Sequence, residues 1–111
     1  MAPMATARQE HAVAVLDGKL YAVGGCAGNG HLSSVERYDP AANAWEAVAP
    51  MAETRYKLAV AVLDGRLYAV GGLDVGYNAL RSVERYGLGT NAWEAVAPMV
   101  TARRDSIAVW M

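Results

Sequence analysis

Apolar and polar residues fall along the chain in short blocks. Residues 12–16, AVAVL, are wholly apolar; Asp17-Gly18 interrupts them; KLYAV at 19–23 resumes the apolar run and ends on Gly24-Gly25. The block AVAVLDGKLYAVGG at 12–25 returns at 59–72 with one change, Arg66 for Lys19. SVERY stands at 34–38 and 82–86, and NAWEAVAPM at 43–51 and 91–99. The offset is 47 before the loop that follows Gly-Gly and 48 after it, so the second copy carries one extra loop residue. PMATARQEHAVAVL at 3–16 matches PMAETRYKLAVAVL at 50–63, and PMVTARRDSIAVWM at 98–111 matches both more loosely. A fixed period of this length means one supersecondary unit used repeatedly.

Each period predicts four short strands. AVAVL is continuous enough to predict a strand covered on both faces. Asp-Gly between apolar runs predicts a two-residue hairpin turn, because glycine adopts positive φ freely. KLYAV is the return strand, and the double glycine ends its pairing and lets backbones approach closely. SVERY is the third strand, with Val35 and Arg37 on one side and Glu36 on the other. DPAAN is a turn preset by Pro40, and WEAVAPM is a fourth strand that Pro50 stops. Short, β-branched segments punctuated by Gly and Pro argue against helix. The expected fold class is therefore all-β, in two four-stranded antiparallel units. Gly87-Leu88-Gly89 replaces Asp39-Pro40-Ala41 in the second copy, which predicts a looser turn there.

Composition narrows the function classes. At 111 residues the chain suffices for one modest domain, and 54% hydrophobic content is ample for a core. Six Tyr, three Trp and no Phe suit strands carrying polar-tipped rings. A net charge of −1, with no basic-aromatic stripe, gives no pull toward nucleic acid. No stretch approaches the ~20 apolar residues of a membrane helix, and residues 1–16 lack the cationic start of a signal peptide. A single cysteine, Cys26, excludes an internal disulfide and is compatible with a reducing compartment. His11 and His31 are the two histidines, and neither lies in a Cys/His/Asp cluster at ligand spacing, so no metal site and no cofactor are expected. A catalytic Cys26 would need an activating histidine; His31, five residues on, is the candidate, but a passive loop cysteine is the default. Glu36 and Glu84 occupy the same repeat position, so structural roles beside Arg37 and Arg85 are expected of them rather than a catalytic carboxylate pair. The double glycines do not open helices, so they do not form phosphate-binding loops.

The order Arg, apolar strand, Gly-Gly, Tyr, Trp, Pro-Met resembles the Kelch repeat, the blade unit of a β-propeller. Here these are Arg8, Gly24-Gly25, Tyr38, Trp45 and Pro50-Met51, then Arg55, Gly71-Gly72, Tyr86, Trp93 and Pro98-Met99. The resemblance covers nearly the whole chain and is nearest to the Kelch domains of BTB–Kelch proteins. It implies a first blade over 4–50, a second over 51–98, and the opening strand of an incomplete third over 99–111. Trp45 and Trp93 are then packing residues between strands or blades. A blade cannot bury both faces alone, and two cannot close a ring. The chain is accordingly a section of a longer protein, an engineered piece, or a protomer that completes a ring by homo-oligomerisation, as three chains giving six blades would.

Candidate function lies where the copies differ. The hairpin turns between first and second strands are nearly identical, whereas the loops between second and third strands, CAGNGHL at 26–32 and LDVGYNAL at 73–80, share little. The connections into each first strand carry Gln9-Glu10, Tyr56-Lys57 and Arg104-Asp105. Both sets lie at the same end of an antiparallel unit, and loops on a rigid scaffold commonly carry binding. The resemblance implies that ligand contacts come from these positions: Gln9, Glu10, Tyr56, Lys57, Arg104 and Asp105, with Cys26, His31, Leu73, Tyr77 and Asn78 from the loops. Tyr, charged and amide groups together suit a protein or peptide ligand. The resemblance thus implies a non-enzymatic, cytoplasmic interaction module, in a parent protein a substrate adaptor of a cullin-3 ubiquitin ligase. The alternatives are a self-assembling propeller protomer without a ligand and, further off, a non-catalytic remnant of a Kelch-type enzyme.

Overall fold

The computed structural model describes residues 3–4, 8–28 and 30–99. In each repeat the apolar block folds into a tight hairpin. Strand β1 (Ala12–Leu16) pairs with β2 (Lys19–Val23), and β7 (Ala59–Leu63) with β8 (Arg66–Val70). The turns between them use Asp17 and Gly18 at φ 53° and 75°, and Asp64 and Gly65 at 55° and 74°. Both central residues are left-handed, which matches the twist of the strands they join. Strands β5 (Val35–Asp39) and β6 (Ala44–Val48) complete the first sheet, in the order β1-β2-β5-β6. Strands β9 (Val83–Gly87) and β10 (Ala92–Val96) complete the second, in the order β7-β8-β9-β10. All neighbours are antiparallel, and the register is the same in both: Tyr21 faces Arg37 as Tyr68 faces Arg85. The turns from the third to the fourth strand both close on a left-handed asparagine, Asn43 at φ 49° and Asn91 at φ 48°. The molecule is all-β as the sequence predicts, and among the described residues no helix is long and apolar enough to cross a membrane. Apart from Met99, the opening strand expected over 99–111 lies outside the described residues.

Two local features differ from expectation. The loop after Gly24-Gly25 contains a small hairpin, β3 (Cys26–Ala27) against β4 (Gly30–His31). Its residues have little strand propensity; Cys26 is held in place by the main chain of Gln9, with which it exchanges both N–H···O bonds at 2.9 Å. The AVAVL strands, moreover, are not covered on both faces. Val13 and Val15 are 49% and 63% exposed, because one face of β1 packs against the second sheet and the other carries no neighbouring sheet among the described residues.

The core lies between the sheets. Leu16, Tyr21, Val23 and Val35 of the first pack with Leu58, Leu67, Ala69 and Tyr86 of the second, with Met51 from the connection among them. The Tyr21 and Tyr86 rings are 5.9 Å apart and tilted by 54°. Burying a side chain of this size contributes about 1.5–3 kcal/mol, so this joint is the main apolar stabilisation of the pair. Polar groups lock its edge. Trp93 Nε1 donates to the Ala49 carbonyl at 2.8 Å, and Asn91 Oδ1 accepts from the Ala49 N–H at 3.0 Å and from the Tyr86 hydroxyl at 2.7 Å. Trp93 thus joins the two sheets, and each tryptophan packs on the tyrosine of its own sheet, Trp93 on Tyr86 at 5.3 Å and Trp45 on Tyr38 at 5.5 Å.

A candidate binding end built from paired loops

Two arginines set the geometry of the loop end. Arg55 has a fully buried side chain. Its Nη1 donates to the carbonyls of Gly71 and Ser82, both at 2.9 Å, and its Nη2 to Ser82 Oγ and Glu84 Oε2, both at 3.0 Å. Arg8 repeats these contacts in the first sheet with Gly24, Ser34 and Glu36. Glu36 and Glu84 therefore serve the arginine that enters each sheet, not the neighbouring Arg37 and Arg85 as expected. Strand alternation sends adjacent side chains to opposite faces, so Arg37 and Arg85 bind Glu46 and Glu94 across the strand instead. The backbone of Arg55 meanwhile belongs to the first sheet: its carbonyl accepts from Gly25 N at 2.7 Å, and its N–H donates to Leu32 O at 3.1 Å.

With the arginine fixed, the following residue reaches the position just past Gly-Gly. Gln9 pairs with Cys26, and Tyr56 pairs with Leu73 through bonds of 3.1 and 2.8 Å. The approach requires glycine. A Cβ at Gly72, where φ is 91°, would stand 2.8 Å from the Tyr56 carbonyl oxygen. The next residues, Glu10 and Lys57, both have positive φ and meet across the two sheets. Lys57 N–H donates to Glu10 O at 2.9 Å, and the Lys57 ammonium lies 3.5 Å from the Glu10 carboxylate.

An aromatic cluster sits on this frame. His31 stacks on Tyr56 with centroids 4.6 Å apart, and Tyr77 stands edge-on to both at 6.1 Å. Beside it runs an open groove of about 280 Å³, lined by Gln9, Cys26, Ala27, Gly28, Gly30, His31 and Tyr77. Tyr77 is 73% exposed, and Val75 on the same loop 61%. Asp74 shapes that loop: its Oδ1 accepts from Gly76 N at 2.9 Å and Asn78 N at 3.0 Å, and its carbonyl from Tyr77 N. The Asn78 backbone N–H, assisted by that of Gly76, holds the Asp74 carboxyl below the usual carboxylate range. Under the first loop, burial and then the Arg8 guanidinium push His11 below its ordinary value.

The structure brings together Gln9, Cys26, His31, Tyr56, Tyr77 and, at the edge, Glu10, Lys57 and Asn78. Leu73 and Tyr56 are only 4% and 5% exposed, so both side chains belong to the packing rather than to the open surface; the Leu73 backbone positions Tyr56, and the Tyr56 ring is the base on which His31 stacks. Arg104 and Asp105 lie outside the described residues. Cys26 Sγ is 3.7 Å from Gln9 O, while the His31 ring is engaged by the two tyrosines. Among the described residues no three His, Cys, Asp or Glu side chains group as metal ligands. Sequence reasoning missed Asp74, which orders the loop; Asp-x-Gly-x-Asn is an Asx-turn pattern that could have revealed it.

The repeated pattern is also found in known proteins. The Kelch motif matches residues 7–52 and 54–100. The chain belongs to the Kelch motif family. Its two sheets are accordingly two adjacent Kelch blades, a partial β-propeller ring. Among curated proteins it is similar to mouse Kelch-like protein 35, 49% identical over 49 residues, covering 44% of this chain and 8% of that protein. The human Kelch repeat and BTB domain-containing protein 13 is 55% identical over 42 residues, 38% of this chain and 9% of that protein. An F-box/kelch-repeat protein of Arabidopsis thaliana is 44% identical over 46 residues, 41% of this chain and 11% of that protein. The Kelch chain thus spans only about a tenth of the length of these relatives.

Proposed function

We propose that this Kelch chain is a non-enzymatic protein-interaction module that binds a protein or peptide segment at the loop end of its blades. The observation that carries this reading is the His31–Tyr56–Tyr77 cluster beside an open groove, drawn from both blades and held by backbone pairing. The exposed Tyr77 ring, on a frame that buries Tyr56 beneath His31, offers large contact area at little ordering cost, which is how tyrosines act in protein interfaces. Charged and amide groups at the edge, Glu10, Lys57 and Asn78, supply a polar rim. Arg104 and Asp105 are proposed to extend this end by their place in the repeat. Two relatives carry BTB or F-box in their names beside Kelch. In a parent protein of the BTB type, this end would hold the substrate of a cullin-3 ubiquitin ligase in the cytoplasm.

Peptides selected from a random library on the immobilised chain provide the test. Tyr77→Ala should weaken the selected peptides at least tenfold, and Gln9→Ala severalfold. Asp64→Ala, in the hairpin turn at the opposite end, should leave affinity within twofold. Equal affinity for Tyr77→Ala and the unaltered chain would refute the proposal.

A further inference from the structure

The two loops that follow Gly-Gly differ in chemistry as well as in sequence. CAGNGHL carries neither a carboxylate nor a tyrosine, whereas LDVGYNAL carries both, at Asp74 and Tyr77. One closed turn holds the pair, since the Tyr77 N–H donates to the Asp74 carbonyl at 3.0 Å. The two carboxylate oxygens of Asp74 are unequally used. Oδ1 accepts from the N–H groups of Gly76 and Asn78 and lies 3.3 Å from Asn78 Nδ2. Oδ2 has only that side-chain amide, at 3.4 Å. The Asn78 and Gly76 donors favour the charged form of the carboxyl, and among the described residues no Lys or Arg acts on it. Lys57, the cation of this end, is already paired with Glu10. Tyr77 is exposed enough that at least one face of its ring is open, and the exposed Val75 stands between the two residues on the same turn.

We infer that this turn binds an arginine side chain of the partner segment, its guanidinium stacked on the Tyr77 ring and donating to Asp74 Oδ2. The inference rests on the reading of this end as a peptide-binding site and names a residue that the peptide supplies. The face of an aromatic ring is electrostatically negative and attracts a cation placed over it. A carboxylate three residues away on the same closed turn adds a full negative charge and an acceptor. A guanidinium serves both at once, because it is planar enough to stack and carries its donors in its own plane; an ammonium is a point charge that does one or the other. Val75 offers apolar surface to the methylene stem. Charge agrees as well. Glu10 and Lys57 offset each other, which leaves Asp74 to set the sign beside Tyr77. The groove next to Tyr77 is lined without a Lys or Arg that would repel the incoming cation.

Titration of the 15N-labelled chain at neutral pH with acetyl-arginine amide, and with its neutral counterpart acetyl-citrulline amide, tests this. The arginine amide should shift the Asp74, Tyr77 and Asn78 amides and bind about tenfold more tightly than the citrulline amide, as an exposed cation–π contact plus a charge-assisted hydrogen bond would give. Asp74→Asn keeps an oxygen that can hold the turn and removes the charge; Tyr77→Leu keeps apolar bulk and removes the ring. Either variant should cut the preference for arginine to about twofold or less. Equal binding of the two amides overturns the inference. So does the absence of shifts, as when an arginine of the chain itself occupies the turn, or a folded Asp74→Asn chain that keeps the full preference. Arginine should also be enriched among peptides selected on the chain. Selected peptides that depend on Tyr77 yet lack arginine would overturn this inference and leave the peptide-binding reading standing.

Discussion

Arg55 connects the two blades at the scale of one side chain. Its backbone is bound to the first blade and its guanidinium to the second, with no exposed side-chain surface. Removing one member of a buried, hydrogen-bonded ion pair costs about 3–5 kcal/mol, because the remaining charge loses its partner. Glu84 keeps the backbone N–H groups of Ala52 and Glu53, which moderates the loss. Arg55→Met should therefore destabilise the fold by about 3 kcal/mol in urea unfolding. Arg85→Met, which removes an exposed cross-strand pair with Glu94, should cost much less, because solvent screens that pair. Equal costs would mean that the clamp is not what holds the loop end. The sequence showed Arg8 and Arg55 as repeated positions but not what they grip. Glu84 stands beside Arg85 in sequence, whereas its partner is 29 residues away, and alternation along a single strand decides the pairing.

Strands and turns were the most legible scale, because their determinants are local. Asp-Gly carries its own turn, and Gly-Gly marks a close approach wherever it recurs. The β3–β4 hairpin was not legible, since the Gln9 main chain fixes it from outside the loop. The two tryptophan strands show the same limit. NAWEAVAPM is identical in both copies and each tryptophan packs on the tyrosine of its own sheet, but only the neighbouring blade shows that Trp93 also reaches across to Ala49. Sequence identity fixes what a strand is, and its neighbour fixes what each side chain touches. Trp93→Phe should cost about 1–2 kcal/mol through the lost hydrogen bond to a partly buried carbonyl. The midpoint of denaturant unfolding reads this cost, and an unchanged midpoint would contradict the joint described between the blades.

For the whole molecule, period and strand order were readable from the sequence, and the site was readable only as an end. Gln9, Cys26, His31, Tyr56 and Tyr77 come together because two loops of each blade pair through backbone, a consequence of topology. The ring cluster arises because Tyr56 enters with the second blade while His31 leaves the first, so the candidate site exists only when the blades are packed. Joint and function are linked: loosening the core between Tyr21 and Tyr86 would part the rings at the loop end. The most direct measurement is a titration of the 15N-labelled chain with a peptide selected on it, followed by NMR. The account predicts that amide shifts concentrate at Gln9, Cys26, His31, Lys57, Tyr77 and Asn78, with those of Asp17–Lys19 and Asp64–Arg66 unmoved. Shifts centred on the Asp-Gly turns, or on the exposed faces of Val13 and Leu63, would contradict it.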